Sequence, residues 1–197
     1  MPLKDRRITP ADIVDLKTFA DTRSERRRAL LPRKKLRRIE VGPVCTFYFE
    51  TFETMLFQVQ EMLYIEKGGE AQLKDELLAY NPMIPQGSEL TATIMFEIEN
   101  EARRRELLGK LGGVEDCFYL EVGDDRVKGA PEGDVERTDE SGKASSVHFV
   151  RFALTDAQKA AFEDSSVKVL VGVDHPNYGH AATLSVENRA ELATDFD

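Results

Sequence analysis

The densest run of apolar positions in the chain spans residues 44–66, VCTFYFETFETMLFQVQEMLYIE. Its first part alternates. Cys45, Phe47 and Phe49 fall on one face, and Val44, Thr46, Tyr48 and Glu50 on the other, the period-two pattern of a strand. From Phe52 the period lengthens. Phe52, Met55, Leu56, Val59, Met62 and Leu63 recur at helical spacing and predict a central helix over Phe52–Glu66. Its opposite side mixes Phe57, Tyr64 and Ile65 with Glu53, Gln58, Gln60 and Glu61, which implies contacts on more than one side. Polar groups in such a place need partners. They belong either to a satisfied structural network or to a site.

The other elements follow from the same patterns. Thr9-Pro10-Ala11-Asp12 reads as a helix start, with Ile13, Leu16, Phe19 and Ala20 at helical spacing behind it. This basic N-terminal helical segment, about residues 9–38, allows a break and should end before Pro32. Strands are predicted at Lys35–Val41, Leu90–Ile98, Cys117–Val122, Ser146–Leu154 and Val167–Val173. Helices are predicted at Glu70–Tyr80, with Leu73, Leu77 and Leu78 inward, at Glu101–Leu111, at Thr155–Phe162 and at Ser185–Ala193. Residues 123–144, rich in Gly, Asp, Glu and Lys, suit a charged hairpin excursion, and Asp195-Phe196-Asp197 a frayed tail. The order suits one α+β domain over 1–197, a mainly antiparallel sheet with helices packed on one side.

With 197 residues, 41% of them apolar, the chain is long enough to bury a sizeable core. No apolar run reaches the roughly 20 residues of a membrane span, and MPLKDRRITP lacks the apolar core of a signal peptide. The two cysteines, Cys45 and Cys117, both fall in predicted strands and read as buried thiols. A cytoplasmic location is the default. The net charge is −9 but uneven, since residues 23–38 carry +8 and the remainder −17. Arg26, Arg27, Arg28, Arg33, Lys34 and Lys35 therefore form a candidate surface for an anionic partner. The run holds no aromatic residue for base stacking and the whole chain is acidic, which argues against nucleic acid.

Candidate chemistry centres on the histidines. His148 alternates with Val150 and Phe152 in its strand, and His175 ends a valine-rich strand before Pro176. If those strands pair, both imidazoles could face the central helix. With Glu61 (or Glu50 or Asp174) they would make a two-histidine, one-carboxylate site for iron or another divalent metal. Gln58, Gln60, Tyr64, Arg151, Asp174 and Tyr178 are the candidates for ligand contacts or supporting networks. Asp174 points away from His175, as neighbours on a strand do, and is poorly placed to orient it. There is no nucleophile elbow, phosphate loop or dinucleotide fingerprint.

Four blocks carry a family resemblance: FYFET-x-x-TMLFQVQEML (47–63), AYNPMIPQGSELTATIM (79–95), SSVHFVRF (145–152) and GVDHPNY (172–178). In this order they resemble the uncharacterised bacterial domain-of-unknown-function family 3501. The resemblance implies a setting beside rubrerythrin-like proteins and iron–sulfur proteins of the heterodisulfide-reductase type. It thus implies a cytoplasmic accessory to a redox or oxidative-stress system, with a metal or small ligand near Glu61, His148 and His175. Two alternatives stand beside it. One is a protein–protein interaction module docking through Arg23–Arg38, and the other a small metal-dependent enzyme. The chain lacks the cysteines to hold an iron–sulfur cluster itself.

Overall fold

The structure is a computed structural model that describes residues 6–131, 138 and 142–197. Among them are six α-helices and nine strands. The helices are α1 (Leu16–Leu36), α2 (Phe52–Glu66), α3 (Gly69–Tyr80), α4 (Glu101–Leu108), α5 (Asp156–Glu163) and α6 (Val186–Leu192). The strands are β1 (Arg38–Val41), β2 (Cys45–Phe49), β3 (Glu89–Phe96), β4 (Phe118–Val122), β5 (Asp125–Lys128), β6 (Ala130–Pro131), β7 (Val147–Ala153), β8 (Val169–His175) and β9 (Tyr178–Thr183). The fold is α+β. No described helix is long and apolar enough to cross a membrane.

The single expected sheet is two antiparallel sheets, in orders β1-β2-β3-β7-β6 and β5-β4-β8-β9. Their apolar faces pack on each other. Phe47 meets Phe118 edge-on with ring centroids 5.9 Å apart, and Phe47 stacks on Phe152. Val150, Val171 and Val173 fill the same core. The other face of the first sheet carries Tyr48, Glu50, Thr93, Met95 and Phe149, and α2 lies across it. There Met55, Val59 and Leu63 build a second, smaller core with Met83 and Ile84. Strand β9 was not apparent in the sequence, because Tyr-Gly-His-Ala-Ala-Thr lacks β-branched alternation. Tyr178 at its start hydrogen-bonds across to the first sheet. Its hydroxyl donates to Val41 O (2.7 Å) and accepts from Val44 N and Cys45 N, closing the β1–β2 hairpin. Gly42 in that turn has φ +72°, and a Cβ there would collide with His180 and the Tyr178 hydroxyl.

Several boundaries differ from expectation for physical reasons. The start at Thr9 is a separate 3-10 turn, Pro10–Asp12, and α1 begins afresh behind the N-cap Asp15. Helix α1 continues through Pro32 to Leu36. Arg28, whose carbonyl would lose its amide partner to that proline, is exposed to water. Ion pairs from Arg33 and Arg37 hold the turn beyond it. Leu78 of α3 is 76% exposed and does not point inward. Cys117 precedes β4 instead of lying within it. Of the charged excursion over 123–144, β5 and β6 are antiparallel additions to the two sheets, and residues 132–137 and 139–141 lie outside the described residues.

The acidic tail is tied down. Arg37 is 1% exposed, and its Nη1 and Nη2 donate to the two carboxylate oxygens of Asp195 at 2.8 and 2.9 Å. It also donates to Glu191 Oε1, Glu191 O and Thr194 Oγ1, and to Glu50 O at 3.2 Å. Arg6 binds Asp197 and the Asp195 carbonyl. Removing one member of a buried charge pair leaves the other uncompensated, at a cost of about 3–5 kcal/mol. Arg37→Met should therefore lower unfolding stability by about that much in urea titration, while Arg27→Met on the exposed side of α1 stays within about 0.5 kcal/mol. A loss below about 1 kcal/mol for Arg37→Met would show that the network contributes little.

Candidate functional site

The site grows from the junction of β2 and α2. Alternation along β2 places Glu50 with Tyr48 on the face that α2 covers. The chain then turns at Thr51, whose hydroxyl caps α2 by accepting from Thr54 N, while Thr54 Oγ1 accepts from Thr51 N. That brings the Thr54 hydroxyl to Glu50 Oε2 at 2.6 Å. Thr93 lies diagonally across from Glu50 on β3, and its hydroxyl reaches Glu50 Oε1, also at 2.6 Å. Two hydroxyls thus hold a carboxylate that is only 8% exposed.

Glu50 lies at the floor of a cavity of about 360 Å³. Met55 and Gln58 from α2, Tyr80 from α3, Met95 from β3 and Phe149 from β7 form its walls, with Lys34 of α1 at the side. Tyr80 packs edge-on against Phe149. Tyr48, at another edge, donates to Glu97 Oε1 and accepts from Arg38 Nε. Burial raises the pKa of Glu50 above the usual carboxylate range, against the downward pull of Thr54, Thr93, Lys34 and Arg37. Burial likewise raises the Tyr80 phenol. A carboxyl able to exchange its proton, beside a phenol and an amide in a cavity of mixed polar and apolar lining, can bind a polar ligand group or accept a proton from one.

The sequence-predicted metal triad is not assembled. His148 faces the inter-sheet core away from α2, packed against Phe96 and Phe118, with Nε2 donating to Ser145 O at 2.9 Å. His175 sits at the end of β8 in the second sheet. Its Nδ1 accepts from Asn177 N and its Nε2 lies 3.3 Å from Gly112 O, so hydrogen bonds engage both ring nitrogens. Glu61 is held bidentate by Arg23, at 2.6 and 2.7 Å, where α1 docks on α2. Among the described residues no three His, Cys, Asp or Glu side chains converge as metal ligands. The expected face was the wrong one, because the apolar side of β7 turns to the second sheet.

The remaining candidates divide. Gln58 lines the cavity. Gln60 is buried on another side of α2, with Oε1 accepting from Val14 N. Tyr64 packs on Phe19 and beneath Arg23. Arg151 donates to Glu89 and Pro82 O, Asp174 is exposed and paired with Arg126, and Tyr178 closes its hairpin. In the basic run, Arg33 pairs with Glu53 and Glu191, while Arg27, Arg28, Lys34 and Lys35 are exposed and have no carboxylate partner among the described residues. Arg26 donates to Thr22 Oγ1. Burial raises the pKa of both thiols, Cys45 strongly, so neither is prepared as a nucleophile. Sequence reasoning missed the roles of Thr93, Tyr80, Met95 and Phe149. The available signal was polar Tyr48, Glu50, Thr91 and Thr93 alternating with apolar residues in two predicted strands.

Comparison with known proteins places this geometry in context. A family profile described as "Protein of unknown function (DUF3501)" matches residues 7–196. A search of curated proteins found no match. Among solved structures, the chain is similar to a protein of unknown function from Burkholderia pseudomallei, with 38% identity and a TM-score of 0.87. The alignment covers 96% of this chain and 99% of that one.

The raised Glu50 pKa sets a stability signature. Folded Glu50 holds its proton more tightly than unfolded Glu50. Its contribution is therefore complete below the ordinary glutamate value and is lost as the pH rises through the raised one. Relative to wild type, Glu50→Gln should gain stability as the pH goes from about 4 to about 8. Urea midpoints at the two pH values measure this, and a flat or opposite difference would contradict the assignment.

Proposed function

The chain belongs to the DUF3501 family, and on that premise we propose that it is a cytoplasmic accessory protein that binds a small organic molecule in the Glu50 cavity. The observation that carries this reading is the buried carboxylate of Glu50 in the lining of a cavity of about 360 Å³. That volume lies within the range of small-molecule pockets, where polar groups converge beside apolar surface. A carboxyl buried without a charged partner in contact costs stability, and a stability cost concentrated in a cavity supports a ligand role.

A second reading, docking of an acidic partner surface on α1, is favoured by the exposed Arg27, Arg28, Lys34 and Lys35. The two readings join at Lys34, which borders the cavity and belongs to the basic helix. A partner on α1 would therefore sense whether the cavity is filled. A redox or oxidative-stress setting, with rubrerythrin-like or iron–sulfur partners, is the wider role we propose. Its support is the family resemblance.

Methionine-methyl NMR tests the binding reading. A library of small polar aromatics and amines should include compounds that shift the Met55 and Met95 methyl signals and leave Met83, buried outside the cavity, in place. Compounds that shift only remote methyls, or none that shift Met55 and Met95, would overturn it.

A further inference from the structure

The cavity lining carries groups of both charge signs, Glu50 on one hand and Lys34 and Arg37 on the other. At the floor, Glu50 accepts one hydroxyl on each oxygen, which leaves acceptor sites open on both. No cation lies within ion-pair distance of it among the described residues. Arg37 bonds the Glu50 backbone carbonyl and acts on the carboxylate only through space, because Asp195 and Glu191 occupy the guanidinium. At the side, Lys34 is exposed and has no carboxylate partner among the described residues. The same lining includes apolar, soft surface. Met55 and Met95 offer thioethers, and Phe149 and Tyr80 offer rings.

From this arrangement we infer that the cavity takes a small zwitterion, with an ammonium group on Glu50, a carboxylate or similar anion toward Lys34, and an aromatic or aliphatic body of about one ring between them. The inference rests on the pocket-binding reading and specifies its ligand class. The ammonium supplies the contact ion pair that no described residue makes with the buried carboxylate, and the nearby rings add cation–π attraction. The anion supplies the partner that Lys34 lacks. A ligand with only one of the two charges leaves either Glu50 or Lys34 unmatched.

Binding is coupled to a proton. Burial favours the neutral carboxyl in the empty cavity. An arriving ammonium favours the carboxylate, so the acid proton of Glu50 leaves to solvent while the ammonium keeps all of its own. The titratable and charged groups around Glu50 are Lys34 and Arg37 from α1, Tyr48 from β2 and Tyr80 from α3. Burial raises both phenols as well, so they stay protonated and Glu50 is the group that gives up the proton.

The test uses 4-(aminomethyl)benzoate, which carries the two charges at opposite ends of one ring, beside benzylamine and benzoate. Calorimetry in buffers of different ionisation enthalpy measures affinity and proton release, and the Met55 and Met95 methyl signals report location. In the wild type the zwitterion should bind at least about tenfold more tightly than either half, with net proton release. Glu50→Gln should weaken the two amines about tenfold, abolish proton release and leave benzoate unchanged. Lys34→Met, at an exposed position where the fold is insensitive, should weaken the zwitterion and benzoate and spare benzylamine. Equal affinity for all three probes, or amine binding indifferent to Glu50→Gln, would overturn the inference. If uncharged fragments shift the Met55 and Met95 methyls and the charged probes do not, the ligand class is wrong and the pocket reading stands. If no small molecule shifts them, both fall.

Discussion

Buried in the protein with 1% of its surface exposed, the Arg37 guanidinium has no water to fall back on, so each of its donors must find an acceptor in the chain. Three segments distant in sequence provide them: the end of β2 through Glu50 O, the last turn of α6 through Glu191, and the C-terminal turn through Thr194 and Asp195. None of these segments can move far without stranding a charge. The same residue ends α1, and Arg33 one turn earlier reaches Glu53 at the start of α2. The position of α1 over the cavity, the exit of β2 and the course of the C-terminus therefore depend on one another through a single planar cation.

That constraint explains how a polar sheet face survives beneath a helix. A sheet face covered by a helix is ordinarily apolar, yet Tyr48, Glu50 and Thr93 point toward α2. The inter-sheet core, with Phe47, Phe118 and Phe152, carries the larger share of apolar burial and leaves the helix-covered face free to be polar. Thr54, placed by the capping geometry of α2, and Thr93, placed by strand register, then satisfy one acceptor site on each oxygen of Glu50. The remaining imbalance stays at the carboxylate, where the cavity opens.

Much of the architecture was legible in the chain. The bounds of α2 were readable because a change from period two to period 3.6 coincides with a threonine cap, and β3 because Leu90, Ala92, Ile94 and Phe96 recur at every second position. Pairing was not. Two apolar strand faces look alike whether they pack on a helix or on a second sheet, so one sheet was expected and His148 was turned toward α2. The continuation of α1 past Pro32 and the anchored tail depend on Arg33 and Arg37 finding carboxylates about 150 residues away, which no local pattern records. Glu50 was visible as a polar residue on an otherwise apolar stretch. Its two hydroxyl partners and its cavity come from tertiary packing.

The most direct measurement is an NMR titration of the Glu50 side-chain carboxyl carbon in the intact protein, repeated with saturating 4-(aminomethyl)benzoate. A midpoint above the usual glutamate range in the free protein, falling when the amine is bound, is the result that follows from a buried, ligand-seeking carboxylate. A midpoint in the ordinary range that the amine leaves unchanged would mean that Glu50 is a satisfied structural group and that the cavity has no polar task.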